Sequence, residues 1–235
     1  MITGSKPCST GLLLSGGLDS SILLWHLLRE GHEVQPFYVR SQLAWESAEL
    51  GAVKRLLHFV SGRSVRRLVV LDLPLSDLYG DHWSITGRGV PDEASPDEAV
   101  FLPGRNALLV IKAALWCQMR SITRLVLAPL ASNPFSDATD EFFSALASAL
   151  NHGSPSQVQI MRPFAVLDKA AVMRFGEGLP LELTFSCIAP VGRLHCGRCN
   201  KCAERQAAFR LIAAADPTDY ASPPVAAAQI EPARH

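Results

Sequence analysis

Short apolar runs alternate along the chain with longer amphipathic stretches. The short runs are typical of buried strands, whereas apolar positions three and four residues apart are typical of helices packed on one side. We therefore expect strands at 10–14, 33–39, 65–73, 125–127 and 157–161. Helices are expected at 19–29, 45–60, 105–119, 138–150 and 168–175. Strands that alternate with helices predict an α/β fold, with a doubly wound parallel sheet covered by helices on both faces.

Three segments do not follow this alternation. Residues 74–103 show little periodicity, so we expect a lid, a dimer contact or a disordered loop there, with disorder centred on 90–97. Residues 216–235 are rich in Ala and Pro and should form a flexible tail. We expect a nucleotide-binding domain at 1–180 and a small cysteine-rich subdomain at 181–215.

Composition limits the classes of partner. A chain of 235 residues with 48% hydrophobic content can bury one sizeable core. Its 22 basic and 22 acidic residues cancel, so no global field attracts nucleic acid or an anionic membrane, and neither partner is expected. No apolar run approaches the roughly 20 residues of a membrane span, and no secretory signal is evident, so we expect a cytoplasmic protein.

The segment GLLLSGGLDS at 11–20 ends a predicted strand on a Ser-Gly-Gly turn and starts a helix. Glycines let the backbone N–H groups converge, and the helix directs the positive end of its dipole to the same place, as in phosphate-binding loops. The acidic Asp19 is assigned a metal-binding or orienting role. A plain βα turn remains the alternative. The candidate nucleotide-binding residues are Leu14, Ser15, Gly16, Gly17, Leu18, Asp19, Ser20 and Ser21.

Four cysteines fall within sixteen residues near the end of the chain. Their C-x8-C-x2-C-x2-C spacing predicts a closed tetrahedral zinc site with a structural role, at Cys187, Cys196, Cys199 and Cys202. An iron–sulfur cluster or uncoordinated thiols are the alternatives. Of the remaining residues, His195 is expected at the surface, Cys117 in the core and Cys8 in a flexible N-terminus.

The string SGGLDS resembles the PP-loop of the ATP pyrophosphatase superfamily, whose members cleave ATP between the α and β phosphates. Three further segments lie between this loop and the end of the cysteine array: FLPGRN at 101–106, PFAVLDK at 163–169 and TFSC at 184–187. In this order along the chain, the motifs resemble the 7-cyano-7-deazaguanine synthase (QueC) family. The resemblance covers nearly the whole expected fold, from about residue 10 to 211.

The resemblance implies a ligase that forms carbon–nitrogen bonds, using ATP with Mg²⁺ and a structural Zn²⁺. The carboxylate of 7-carboxy-7-deazaguanine is adenylated, ammonia displaces AMP to give the amide, and a second ATP activates the amide for dehydration to the nitrile. The implied partners are therefore a small deazapurine and ammonia, in a homodimer.

Residues outside the loop receive roles from the same resemblance. Arg105 would hold phosphate or the substrate carboxylate, and Lys169 would contact phosphate. With Asp19 and Asp137 they form the expected catalytic set. Further nucleotide-binding candidates are Arg40, Gly104, Arg105 and Asn106.

Two segments depart from the family pattern on the substrate side. Residues 37–46 lack the histidine that the family carries, and Asn133 stands where an acid is expected, although Asp137 and Glu141 keep an acidic pair. These departures leave open a diverged enzyme that joins an activated deazapurine or other carboxylate to a different amine. A tRNA-modifying PP-loop ATPase, or a zinc-ribbon interaction module on a degenerate ATPase scaffold, are the remaining alternatives.

Overall fold

The computed structural model describes residues 9–222. Five parallel strands form one sheet in the order β3-β2-β1-β4-β5. The strands lie close to their expected positions: β1 is Thr10–Leu13, β2 is Val34–Arg40, β3 is Val69–Asp72, β4 is Arg124–Val126 and β5 is Gln159–Met161.

Helices cover both faces of the sheet, which confirms the expected α/β fold. They are α1 Leu18–Arg29, α2 Glu46–Phe59, α3 Ser76–Tyr79, α4 Trp83–Thr86, α5 Arg105–Gln118, α6 Asp140–His152, α7 Lys169–Phe175 and α8 Asn200–Leu211. The residues of α5 and α6 join one apolar core, and those of α1, α2, α7 and α8 join a second core against the opposite face. Cys117 is fully buried in the first of these cores, as expected.

The strand order reverses between β1 and β4. The chain segments that follow β1 and β4 lead away in opposite directions from this point. A crevice is therefore left above the carboxyl ends of these two central strands. The loop 14–17 follows β1 directly, so the Ser-Gly-Gly turn lies in this crevice. None of the helices within 9–222 is both long and apolar enough to cross a membrane.

The disorder expected at 90–97 is wrong. This stretch lies against the cysteine-rich region: Asp92 forms an antiparallel bridge with Cys199, and the backbone N–H of Glu93 donates to the carbonyl of Arg198 at 2.9 Å. Two short helices, α3 and α4, occupy the earlier part of the expected loop. The segment 90–97 is therefore ordered by pairing with residues about a hundred positions away, and not by a local hydrophobic pattern.

The flexible tail expected from residue 216 is wrong for residues 216–222. Thr218 accepts a hydrogen bond from Nε of the buried Arg205 at 2.6 Å, and the Tyr220 hydroxyl donates to Asp216 at 2.6 Å. The cysteine-rich region thus includes these residues. The expectations for Cys8 and for residues 223–235 lie outside the described part of the chain.

Candidate active site and metal centre

A cavity of about 350 Å³ opens above the carboxyl ends of β1 and β4. Its walls come from the loop after β1, the first turns of α5 and α7, the loop after β4, and one side of α8. The volume lies at the lower end of the range found for small-molecule sites. The topological switch point of the sheet therefore coincides with a cavity of small-molecule size.

The loop 14–17 holds the amino end of α1 toward the cavity. Gly16 has φ +81°, and a Cβ atom there would lie 2.9 Å from a methyl group of Val53, so only glycine fits without a shift. The Gly16 carbonyl accepts a hydrogen bond from the backbone N–H of Phe185 at 2.7 Å. Ser15 and Ser20 place their hydroxyls 3.1 Å apart at the start of the helix. This geometry favours an anion at the helix end.

Four charged side chains meet beside the loop. The Lys169 ammonium donates to both carboxylate oxygens of Asp19, at 2.8 and 2.9 Å, and lies 3.6 Å from Glu204. Lys201 pairs with the same Glu204 at 2.6 Å. Burial acts to lower the pKa of Lys169, but Asp19 and Glu204 outweigh it, so the pKa is raised and the ammonium stays charged. Lys169, which its motif indicated as a site residue, is thereby connected to Glu204 of α8 directly and to Lys201 of α8 through Glu204.

The start of α5 is tied to the segment that follows β4. Asp137 accepts a hydrogen bond from the backbone N–H of Asn106 at 3.3 Å and another from its side-chain amide at 3.0 Å. Arg105, the first residue of α5, lines the cavity, and its buried Nε has no hydrogen-bond partner among the described residues. A buried guanidinium N–H without a partner favours an anionic ligand at this wall.

Glu49 also lines the cavity, and the sequence motifs did not indicate it. It lies on α2, and its Oε2 accepts a hydrogen bond from the Tyr38 hydroxyl at 2.7 Å. Burial raises the pKa of Glu49 to about 7. The helical spacing of α2 could have placed this acid beside the sheet, but nothing in the sequence shows which acids of the helix face the crevice.

Part of the cavity wall is apolar. The rings of Phe101 and Phe135 lie 5.1 Å apart, and Trp45 and Leu102 contribute further to this wall. Aromatic and aliphatic surface of this kind suits a flat heterocycle. The cavity thus combines an anion-binding end with a wall that fits a planar ring.

The four cysteines converge as their spacing predicts. All four Sγ atoms lie within 4.8 Å of one another, and two pairs, Cys187 with Cys199 and Cys196 with Cys202, are 3.8 Å apart. A tetrahedron with a metal–sulfur distance of about 2.3 Å has edges of about 3.8 Å. The cluster therefore has the dimensions of a four-thiolate site for one metal ion.

The backbone around the cluster supports thiolates. The N–H groups of Ala189 and Cys196 donate to the sulfur of Cys187 at 3.3 and 3.2 Å, and those of Arg198 and Cys199 donate to Cys196 at 3.4 and 3.3 Å. Donors that point at sulfur lower the cost of the negative charge that a metal requires.

His195 is not at the surface, contrary to expectation. It is 95% buried, since its relative exposure is 5%, and its Nε2 accepts a hydrogen bond from the backbone N–H of Ser186 at 3.1 Å. Its ring also contacts those of Phe185 and Tyr220. Burial lowers the pKa of His195 to about 3, so the ring is neutral and serves as an acceptor that braces the metal-binding segment.

The structure brings most of the expected site residues together. Those that line the cavity are Leu14, Ser15, Gly17, Leu18, Asp19, Ser20, Arg105, Asn106, Asp137 and Lys169. Gly16 and Gly104 shape the adjacent backbone, Gly104 with φ +73° before α5.

Three expected site residues lie elsewhere. Arg40 is exposed at the end of β2 and pairs with Asp72 at 2.9 Å, outside the cavity lining. Ser21 is buried under the first turn of α1 and does not reach the cavity. Glu141 is exposed on α6, so the expected acidic pair with Asp137 does not form within the cavity.

Comparison with known proteins gives one consistent result. The family model described as queuosine biosynthesis protein QueC matches residues 10–213. A 7-cyano-7-deazaguanine synthase of Methanopyrus kandleri is 32% identical over 229 residues, covering 90% of this chain and 98% of that protein. The 7-cyano-7-deazaguanine synthase 1 of Desulfitobacterium hafniense is 29% identical over 205 residues, covering 85% and 90%.

Solved structures resemble the chain more distantly. A predicted subunit of a tRNA methyltransferase from Methanocaldococcus jannaschii is 13% identical with a TM-score of 0.47, covering 71% of this chain and 72% of that one. At this level the likeness does not bear on function.

Proposed function

Because the chain belongs to the QueC family of queuosine biosynthesis proteins, we propose that it is a 7-cyano-7-deazaguanine synthase. In this proposal it is a ligase that forms carbon–nitrogen bonds and converts 7-carboxy-7-deazaguanine, through the amide, to the nitrile. The observation that carries the proposal is that the phosphate loop, Arg105 and the apolar wall all border one cavity. A nucleotide and a planar acid bound there would lie next to each other.

The chemical problem is that a carboxylate is a poor electrophile. Transfer of AMP from ATP to its oxygen creates a good leaving group, and the pyrophosphate released needs a site that stabilises negative charge. Backbone N–H groups of the loop 15–17 and the amino end of α1 supply that site, together with the ammonium groups of Lys169 and Lys201. Mg²⁺ would add charge neutralisation at the phosphates, with Asp19 as its candidate protein ligand.

Arg105 is proposed to hold the substrate carboxylate in position. Its unpartnered Nε and its place in the cavity wall fit that role. Asp137 is a positioning residue in this scheme, because it holds Asn106 and thereby the first turn of α5. The carboxylate would then face the ATP α-phosphorus in a fixed orientation.

The metal centre is proposed to be a structural zinc site. Four thiolates would occupy all four coordination positions of a tetrahedral metal ion, so none would be left for water or substrate. The donors and their spacing fit zinc well. The expected homodimer and cytoplasmic location stay predictions.

The test is to incubate the protein with ATP, Mg²⁺, ammonium and 7-carboxy-7-deazaguanine and to identify products by mass spectrometry. We expect 7-cyano-7-deazaguanine with AMP and pyrophosphate. Accumulation of the amide alone would indicate an amide synthase. If neither product forms but AMP appears when another amine is supplied, the enzyme is a diverged member with a different acceptor.

A further inference from the structure

Glu49 differs from the other acids of the cavity in its partners. Asp19 is paired with Lys169, and Glu204 with Lys201 and Lys169. The carboxylate of Asp137 accepts hydrogen bonds from the backbone N–H and the side-chain amide of Asn106. Among the described residues that line the cavity, Glu49 is the one carboxyl with neither an ion pair within 4 Å nor a backbone donor. Its hydrogen-bond donors are the Tyr38 hydroxyl and the Trp45 side chain.

The groups around Glu49 leave it able to gain and lose a proton near neutral pH. Burial raises its pKa to about 7, the charge of Arg105 opposes the rise, and the Tyr38 hydroxyl and Trp45 also favour the charged form. The neighbouring carboxylate of Glu46 acts in the opposite sense. Burial and Glu49 itself raise the pKa of Tyr38, so this hydroxyl remains a neutral donor.

The amide-forming step needs such a group. Ammonia in neutral water is mostly ammonium, which has no free electron pair and cannot attack a carbonyl carbon. A group in the cavity that takes a proton from ammonium would make the far larger ammonium pool available for the reaction. A carboxyl whose pKa is near the working pH is well suited to this, since it is deprotonated often enough to accept the proton.

We propose that Glu49 is the base that deprotonates ammonium in the cavity. The inference rests on the proposed function. The Glu49 carboxylate takes one proton from ammonium, and the ammonia formed attacks the carbonyl carbon of the activated acid. As the carbon–nitrogen bond forms, the bond from that carbon to the AMP oxygen breaks, and AMP keeps the electron pair. The nitrogen's second proton leaves with AMP, and Glu49 later returns its proton to solvent.

Glu49→Gln tests this role and keeps the shape and the Tyr38 hydrogen bond, since an amide oxygen also accepts. We expect ammonia-dependent amide formation to fall about 100-fold. Carboxylate-dependent exchange of pyrophosphate into ATP, which needs no amine, should continue. Hydroxylamine is already neutral at pH 7, so it should form the hydroxamate in the variant within about threefold of the unchanged protein.

The pH dependence supplies a second readout. The rate of amide formation from ammonium should rise with pH through an apparent pKa of about 7, as Glu49 loses its proton. This rising limb of the pH profile should be absent when hydroxylamine is the amine. Tyr38→Phe removes a hydrogen bond that favours the charged form, so the limb should move to higher pH. Glu141→Gln, on the exposed start of α6, is the matched control and should change neither rate.

Two results would overturn the role of Glu49: amide formation in Glu49→Gln within threefold of the unchanged protein, or loss of the hydroxylamine reaction while exchange continues. Absence of exchange and of any deazapurine product in the unchanged protein would instead overturn the proposed function. Thermal unfolding of each variant separates these outcomes from a failure to fold.

Discussion

The charged residues beside the loop 14–17 are held by one another. Lys169 contacts Asp19 directly and Glu204 at longer range, so one ammonium compensates two carboxylates from α1 and α8. Loss of this lysine leaves the partly buried Asp19 without a counter-charge near Glu204, which keeps its pair with Lys201. Such a loss costs more than loss of an exposed pair.

Lys169→Met should therefore lower the free energy of unfolding by about 2 kcal/mol, between the values for exposed and buried pairs. It should also weaken ATP binding, because a phosphate partner is lost. Adding Asp19→Asn should restore most of the stability, since the uncompensated charge is removed, without restoring nucleotide binding. Urea unfolding and nucleotide titration measure the two effects; an additive double variant would contradict the pairing.

At the scale of single residues, the sequence indicates site residues that belong to motifs. It does not indicate those whose position depends on contacts between distant segments. Lys169 and Arg105 belong to recognisable segments, so their place in the cavity wall could be expected. Glu49 belongs to an ordinary amphipathic helix, and only the packing of α2 against β2 shows that it meets Tyr38. A surface position is expected for His195 because four thiolates leave it no ligand role, but its burial depends on contacts with Ser186 and Tyr220.

Among the elements, the turn that carries Cys196 and Cys199 has the most restrictive backbone requirement. Gly197 has φ +87°, and a Cβ atom there would lie 2.3 Å from the carbonyl oxygen of Ser222. The left-handed conformation and the backbone contact act together, so the turn tolerates no side chain without moving the segment 216–222.

Gly197→Ala should lower the free energy of unfolding by about 1–3 kcal/mol and weaken metal retention. Gly192→Ala is the matched control, because Gly192 also has a positive φ, +62°, but a Cβ there meets nothing within 4 Å. The control should cost about 1–2 kcal/mol from backbone conformation alone. Equal metal loss in both variants during competition with a chelator would show that the contact with Ser222 is unimportant.

The positions of strands and main helices could be predicted because their signals are local. Buried β1 and the apolar face of α1 show in their own residues. The segment 90–97 gave no such signal, because its order comes from the bridge between Asp92 and Cys199 and from the amide of Asn200, which donates to the Ser95 carbonyl at 2.9 Å. A partner a hundred residues away leaves no periodicity in the segment itself.

At the scale of the molecule described by residues 9–222, the cysteine cluster and the cavity are directly connected. Cys202 lies on α8 between Lys201 and Glu204, which both line the cavity, and Phe185 binds the Gly16 carbonyl just before Cys187. We therefore expect a change in the cluster to affect the loop 14–17 through helix α8 and the backbone of 185–187.

Removal of the metal should consequently weaken ATP binding as well as lower the melting temperature. We expect one zinc per chain in the purified protein, and Cys199→Ser should lose it together with at least tenfold in ATP affinity. Cys117→Ala, in the core away from the cluster, should keep its zinc. Metal analysis and nucleotide titration measure both quantities; full ATP affinity in a metal-free, folded Cys199→Ser variant would contradict the coupling.

The central claim is that AMP is transferred to the substrate carboxylate in this cavity. The most direct measurement follows oxygen from 7-carboxy-7-deazaguanine labelled with ¹⁸O at both carboxyl positions. The account predicts two AMP per nitrile, each with one ¹⁸O in its phosphate, and unlabelled pyrophosphate, because each activation leaves a substrate oxygen on AMP. Unlabelled AMP, or label in inorganic phosphate released alongside ADP, would contradict it.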